Sequence, residues 1–91
     1  MIVLLVKDKN MKVIRFTASW CGPCKMLAKA LEDVKTDIEI EVDDIEDEKS
    51  MANVYGIRGV PTLVMIDDNR HEVKRLVGVH GSNILEEWFN S

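Results

Sequence analysis

The sequence is poor in chain-breaking residues and has no long apolar run. Its 91 residues include only five Gly and two Pro, which excludes collagen-like and proline-rich disordered chains. No apolar stretch approaches the roughly 20 residues that a membrane-spanning helix needs. Hydrophobic residues make up 46% of the chain and charged residues 31%. This balance predicts one soluble globular domain over residues 1–91, and no secretory leader is expected at the start.

Basic residues are outnumbered by acidic ones, and the charges are unevenly distributed. The net charge is −4, and residues 37–48 carry eight acidic side chains and no basic one. Nucleic-acid binding domains are usually basic, with clustered Lys and Arg, so no nucleic-acid partner is expected. Two interpretations of the acidic segment stay open. It is either a solvated strand end with its loop or an electrostatic docking surface for a basic partner.

Cysteine is scarce, and both copies lie in the segment 20–26, Trp-Cys-Gly-Pro-Cys-Lys-Met. A small secreted domain held together by disulfides normally carries four or more cysteines. A structural zinc site needs four ligands, and His71 and His80 lie far from Cys21 and Cys24, so no metal site is expected. A structural disulfide across two residues would remove little chain entropy. The Cys-x-x-Cys therefore predicts redox chemistry.

Hydrophobic periodicity predicts strands that alternate with helices. Runs rich in β-branched residues predict strands at 2–6, 12–18, 38–42, 62–66 and 72–77. Apolar residues spaced three or four apart predict helices at 22–35, at 47–55 and from Ser82 onward. This order predicts an α/β fold with a partly parallel central sheet, whose last two strands are antiparallel.

Three blocks of the sequence resemble the thioredoxin family. Residues 20–26 match the family's active-site motif, residues 55–62 resemble the segment that carries a cis proline, and Gly78 matches the glycine after the last strand. The resemblance implies a thioredoxin-like fold, with a mixed four- or five-stranded sheet flanked by three helices. The family's first helix looks absent, because only five residues separate the first two predicted strands. Residues 2–6 form either a hairpin with the next strand or a lead into the sheet edge.

The resemblance also implies roles for the two cysteines. Cys21 is expected to be the exposed nucleophile, because unpaired N–H groups at a helix start favour a thiolate. Cys24, more buried, is expected to resolve the mixed disulfide. A cis bond before Pro61 would present the backbone of Val60 to substrate as an added strand. The expected substrate-binding residues are Trp20, Gly22, Pro23, Gly59, Val60, Pro61 and Gly78.

One position departs from the family pattern. Thioredoxins carry a buried Asp six residues before the first cysteine, and this chain has Arg15 there. The alignment places Glu41 where the family often has a Lys, so the two charges look exchanged. We therefore expect Arg15 to pair with Glu41, or alternatively with Asp43, and both Arg15 and Glu41 to tune the thiols.

The resemblance implies a general protein disulfide reductase. It would be a cytoplasmic monomer that binds no cofactor and receives electrons from NADPH through thioredoxin reductase. Its substrates would be disulfide-containing proteins such as ribonucleotide reductase, with no membrane partner. Two alternatives stay open: a glutaredoxin-like protein recharged by glutathione, and a non-catalytic thioredoxin-fold subunit of a larger complex.

Overall fold

The computed structural model describes residues 10–91, and four strands in this range form one mixed sheet. They are β1 (Lys12–Thr17), β2 (Glu39–Asp44), β3 (Thr62–Ile66) and β4 (Glu72–Val77). The spatial order is β2-β1-β3-β4. β1 is parallel to β2, whereas β3 is antiparallel to both β1 and β4. The predicted mixed sheet and antiparallel last pair are confirmed, and the strand predicted at 2–6 lies outside the described residues.

Two helices, α1 (Gly22–Leu31) and α2 (Ser82–Asn90), accompany the sheet. α1 is the first helix of the described range, in agreement with the predicted loss of an earlier one. It ends four residues before the predicted end at Lys35. The N–H groups of Glu32, Asp33 and Val34 bond to carbonyls three residues back, which is the tightened geometry that commonly closes a helix.

The helix predicted at 47–55 is wrong, so residues 10–91 contain two helices rather than three. Residues 47–56 form successive turns, because side chains take up the N–H groups there. Asp47 Oδ1 accepts from the Lys49 N–H at 2.9 Å, and Ser50 Oγ accepts from the Ala52 N–H at 3.1 Å. Such local bonds compete with a helix. Val54, one of the apolar residues on which the predicted helix depended, is 69% exposed.

The side chains of the acidic segment have a structural part in these turns. Asp43 is buried, accepting from the Ser50 hydroxyl at 2.6 Å and from the Met51 N–H at 2.8 Å. Asp44 Oδ1 accepts from the Glu46 N–H at 2.9 Å. The carboxylates of Asp43 and Asp44 thus stabilise the chain that follows β2. The alternative role of the acidic segment, as an electrostatic docking surface for a basic partner, stays a prediction.

Each face of the sheet packs against a different part of the chain. α1 and α2 cover one face with an apolar cluster, whose buried members are Val13, Leu27, Ile38, Leu63, Met65, Leu85 and Phe89. The turns of residues 45–60 cover the other face, where Ile14, Phe16, Val64 and Ile66 are buried. The alternation of side chains along a strand accounts for this division. Neither helix of residues 10–91 has the length and hydrophobicity required to span a bilayer.

The topology brings segments that are distant in the sequence to one end of the sheet. Phe16, near the end of β1, pairs with Thr62 at the start of β3, and Thr62 pairs with Val77 at the end of β4. Thr17 and Asp44, the last residues of β1 and β2, are also neighbours. Four segments therefore meet at this end of the sheet: the loop that contains the cysteines, the loops that contain Pro61 and Gly78, and residues 45–48.

Replacement of Leu27 tests the packing of α1 on the sheet. Leu27 is fully buried, whereas its neighbour Met26 is exposed. Leu27→Ala should lower the free energy of unfolding by about 2–5 kcal/mol, because it removes buried methyl groups and leaves a cavity. Met26→Ala, the matched control, should change it by about 0.5 kcal/mol or less. Urea denaturation of the oxidised proteins measures both values, and equal losses would contradict the described packing.

Candidate active site

The two cysteines lie at the junction between β1 and α1. The Cys21 N–H bonds to the Ala18 carbonyl at 3.2 Å, which turns the chain at the end of β1. Cys21 is extended and forms the N-cap of α1, and its Sγ accepts the Cys24 N–H at 3.1 Å. Pro23 lies in the first turn, where its missing N–H has no intrahelical partner to lose. The sulfur of Cys21 thus takes the place that an oxygen occupies at most N-caps.

A disulfide joins Cys21 and Cys24, whose Cα atoms are 5.2 Å apart. Cys21 is 4% exposed and Cys24 is 1% exposed. The expectation of an exposed Cys21 is therefore wrong, although Cys24 is the more buried residue as expected. Cys21 is covered because Ile45 and Val60, from two other loops, pack against the cysteines and Ala18.

The segment 59–61 reaches the cysteines from the start of β3. The Val60–Pro61 peptide bond is cis, as the resemblance implies. The Val60 carbonyl oxygen lies 3.8 Å from Cys21 Sγ. The Thr62 hydroxyl donates to the Gly59 carbonyl at 2.8 Å, and the Gly78 N–H donates to the Pro61 carbonyl at 2.9 Å. These two bonds fix the segment beside the disulfide.

The glycines around the disulfide leave space on the surface. A Cβ atom on Gly22, Gly59 or Gly78 would meet no atom within 4 Å beyond the adjoining backbone and the two chain neighbours. Gly78 also has a φ of 93°, a backbone conformation that glycine adopts without the steric cost of a Cβ. The surface next to the sulfurs is therefore open to an approaching chain.

Trp20 is the large exposed side chain beside the disulfide. It is 65% exposed, and its Nε1–H donates to Glu46 Oε2 at 3.0 Å. The Ser19 hydroxyl donates to Glu46 Oε1 at 3.2 Å. Glu46 therefore connects the acidic segment to the loop that carries Cys21.

The chain matches a family model and curated relatives over most of its length. The model of the family described as Thioredoxin matches residues 3–91. The chain belongs to the thioredoxin family. A thioredoxin from Rickettsia bellii is 36% identical over 83 residues, which are 87% of this chain and 78% of that protein. A thioredoxin from Chlamydia caviae is 37% identical over 81 residues, which are 86% of this chain and 78% of that protein.

Solved structures agree with the thioredoxin assignment. A mutant thioredoxin from Halobacterium salinarum superposes with a TM-score of 0.79 at 34% identity, covering 89% of this chain and 73% of that chain. Family membership, the fold and the Cys21–Cys24 pair make the chain a thiol–disulfide oxidoreductase. Thioredoxins act on disulfides and carry no prosthetic group. Within residues 10–91, no three His, Cys, Asp or Glu side chains are placed to hold a metal ion.

The structure corrects the expected pairing of Arg15 with Glu41. Arg15 is in register with Val42, whereas Glu41 is in register with Ile14. Arg15 therefore shares the α1 face of the sheet with Val13, and Glu41 lies on the opposite face. Glu41 instead forms ion pairs with Lys12 and Arg70, at 3.6 and 3.1 Å.

Asp43, the alternative partner, is also on the face opposite Arg15, since it is in register with Phe16. Among residues 10–91, no carboxylate lies within 4.0 Å of the Arg15 guanidinium. Partial burial lowers the pKa of Arg15, because it removes water from the charged form. Arg15 is thus a partly desolvated positive charge on the face that α1 covers.

Sequence reasoning missed three residues of this site. Ile45 packs against the cysteines, and Ser19 and Glu46 form the bonds described above. The acidic segment 37–48 contains Ile45 and Glu46, but nothing in its sequence distinguished these two residues from their neighbours. Their contribution depends on the parallel pairing of β1 with β2, which brings Asp44 beside Thr17.

Proposed function

We propose that this thioredoxin-family chain reduces protein disulfides, with Cys21 as nucleophile and Cys24 as resolving residue. The Cys21 thiolate attacks one sulfur of the substrate disulfide, and the other substrate sulfur leaves as a thiolate. The Cys24 thiolate then attacks Cys21 Sγ, which forms the Cys21–Cys24 disulfide and releases the second substrate sulfur. Two electrons pass from the protein dithiol to the substrate.

One observation carries the assignment of the nucleophile: Cys21 Sγ accepts the Cys24 N–H at 3.1 Å. A hydrogen bond to a charged group favours that charged form, and the N-terminus of α1 adds a favourable dipole. Cys24 lies within the first turn of α1 and is the more buried of the two. The geometry therefore supports Cys21 as the attacking sulfur.

The surface around the disulfide suits an extended polypeptide substrate. The Val60 backbone lies next to Cys21 Sγ and can pair with a substrate strand. Gly22, Gly59 and Gly78 leave room for that strand. Trp20 supplies an exposed indole at the rim, and aromatic residues are enriched at protein interfaces. Pro23 and Pro61 complete this docking surface.

The electrons that regenerate the dithiol come from NADPH through thioredoxin reductase. Support comes from family membership and from coverage of 78% of the length of two thioredoxins. Ribonucleotide reductase is a representative substrate, and the cytoplasm is the proposed compartment, because free thiols persist in reducing surroundings.

Insulin reduction tests this proposal against its two alternatives. With thioredoxin reductase and NADPH, catalytic amounts of the protein should accelerate insulin precipitation at least about tenfold over the double variant Cys21→Ser/Cys24→Ser, because that control lacks both sulfurs. Turnover only with glutathione and its reductase would instead show a glutaredoxin-like protein. The absence of turnover with either system would show a non-catalytic subunit.

Single cysteine variants test the two roles. Cys24→Ser should still attack a substrate disulfide and should accumulate a stable mixed disulfide, because no second thiol resolves it. Cys21→Ser should form at least about tenfold less of this adduct, since it lacks the sulfur that accepts the N-cap hydrogen bond. Non-reducing electrophoresis with mass spectrometry identifies the adducts. More adduct with Cys21→Ser than with Cys24→Ser would reverse the assignment.

We also propose that Arg15 raises the reduction potential, because a positive charge on the α1 face favours the thiolate of the reduced form. Arg15→Met should make the potential more negative by roughly 10–30 mV, or about 0.5–1.4 kcal/mol. Glu41→Gln, the control on the opposite face, should shift it much less. Equilibration with glutathione buffers measures both variants. Equal potentials for wild type and Arg15→Met would show that Arg15 has no influence on the thiols.

A further inference from the structure

The segment 59–61 is joined to β4 by half of a normal backbone pair. Thr62 stands opposite Val77 in the ladder of β3 and β4, so Pro61 stands opposite Gly78. Opposite residues at a bonded position of an antiparallel ladder exchange two N–H···O bonds, but proline has no N–H to donate. The bond from the Gly78 N–H to the Pro61 carbonyl, at 2.9 Å, is the one that remains. Pro61 is therefore held at β4 by the backbone of Gly78.

Gly78 is a weak anchor unless its own conformation is fixed. Its φ is 93°, and glycine adopts positive and negative φ values with similar ease. The bond to Pro61 forms only in the conformations that direct the Gly78 N–H toward β3. A contact that restricts the turn after β4 therefore stabilises the position of Pro61 as well.

The His80 side chain provides such a contact. Its Nε2 lies 3.0 Å from the Val77 carbonyl oxygen. Bonded and non-bonded pairs alternate along an antiparallel ladder, so the Val77 carbonyl, one residue before the bonded Gly78, points away from β3. It faces the open side of β4, which is the last strand in the order β2-β1-β3-β4 of the described residues. The ring of His80 thus bonds where a further strand would, and it closes the turn around Gly78.

This contact fixes which ring nitrogen of His80 carries the hydrogen. A carbonyl oxygen can only accept, so Nε2 is the donor and Nδ1 is the acceptor of the neutral ring. Protonation of the ring adds a hydrogen to Nδ1 and leaves the Nε2–H in place. The bond to Val77 is therefore made by both charge states of His80.

We propose that His80 is a positioning residue that holds the cis-proline segment in place for substrate docking. It acts through its Nε2–H, which closes the turn around Gly78 and so preserves the bond from Gly78 to Pro61. The proposal rests on the proposed function, in which Val60 and Pro61 belong to the docking surface. His80 acts on this segment and not on the sulfurs, so its loss affects the binding of substrate more than the chemical step.

Three substitutions separate the Nε2 donor from the rest of the ring. The amide nitrogen of Gln is as many bonds from the Cα atom as Nε2 of His, so His80→Gln keeps a donor at that distance. The amide nitrogen of Asn corresponds to Nδ1 instead, so His80→Asn removes the donor and keeps a polar side chain. His80→Ala removes the side chain. His71→Gln is the matched control, because His71 is exposed and its ring makes no hydrogen bond within residues 10–91.

Amide hydrogen exchange of the oxidised proteins measures the effect on the turn. The Gly78 N–H should exchange roughly three- to tenfold faster in His80→Ala and His80→Asn, the range of a single hydrogen bond. In His80→Gln and His71→Gln it should stay within about twofold of wild type. Unchanged exchange in His80→Ala, or equal acceleration in His80→Gln and His80→Ala, would overturn the proposal. A neutral His80 ring with its hydrogen on Nδ1, seen in nitrogen NMR spectra, would also overturn it.

Substrate reduction measures the effect on docking. Reduced protein and excess insulin, with acid quenching and thiol counting, give a limiting rate and a half-saturating insulin concentration. His80→Ala and His80→Asn should raise the half-saturating concentration roughly three- to tenfold and change the limiting rate less than about twofold. His80→Gln should restore the wild-type values, and His71→Gln should keep them. An inactive wild type would contradict the proposed function, whereas an active wild type with an unaffected His80→Ala would contradict this inference alone.

Discussion

The hydrogen bond from the Cys24 N–H to the sulfur of Cys21 links the fold of this protein to its chemistry. β1 ends one turn before this bond, and α1 begins with it, so the strand and the helix place both cysteines. Helix starts leave backbone N–H groups without partners, and a sulfur that accepts one of them is stabilised as an anion. The same geometry that caps α1 therefore supports the proposed role of Cys21 as the nucleophile.

The sequence predicted the parts of this arrangement that depend on local pattern. The bounds of β3 and β4 agree with the predicted strands, because clear turn residues flank both segments. The start of α1 at Gly22 was predictable from the position of Pro23. The predicted helix at 47–55 was wrong, because its apolar spacing gave no sign that Asp47 and Ser50 would bond to nearby N–H groups.

The contacts between distant segments could not be predicted from the sequence in the same way. A shift of one residue in register moves a side chain to the other face of a sheet. Because Arg15 is in register with Val42 rather than with Glu41, the Glu41 side chain lies on the face opposite to that of Arg15. The burial of Cys21 depends on Ile45 and Val60, which come from two other loops. The anchoring of the cysteine loop by the acidic segment likewise requires β1 and β2 to be parallel neighbours.

The most direct test of this account asks which sulfur of the reduced protein reacts first. Limited treatment with iodoacetamide, followed by mass spectrometry of the singly modified species, gives the ratio of modification at Cys21 and Cys24. The account predicts that Cys21 carries most of the label, because the N-cap hydrogen bond stabilises its thiolate and Cys24 is more buried. Equal labelling of the two cysteines, or faster labelling of Cys24, would contradict it.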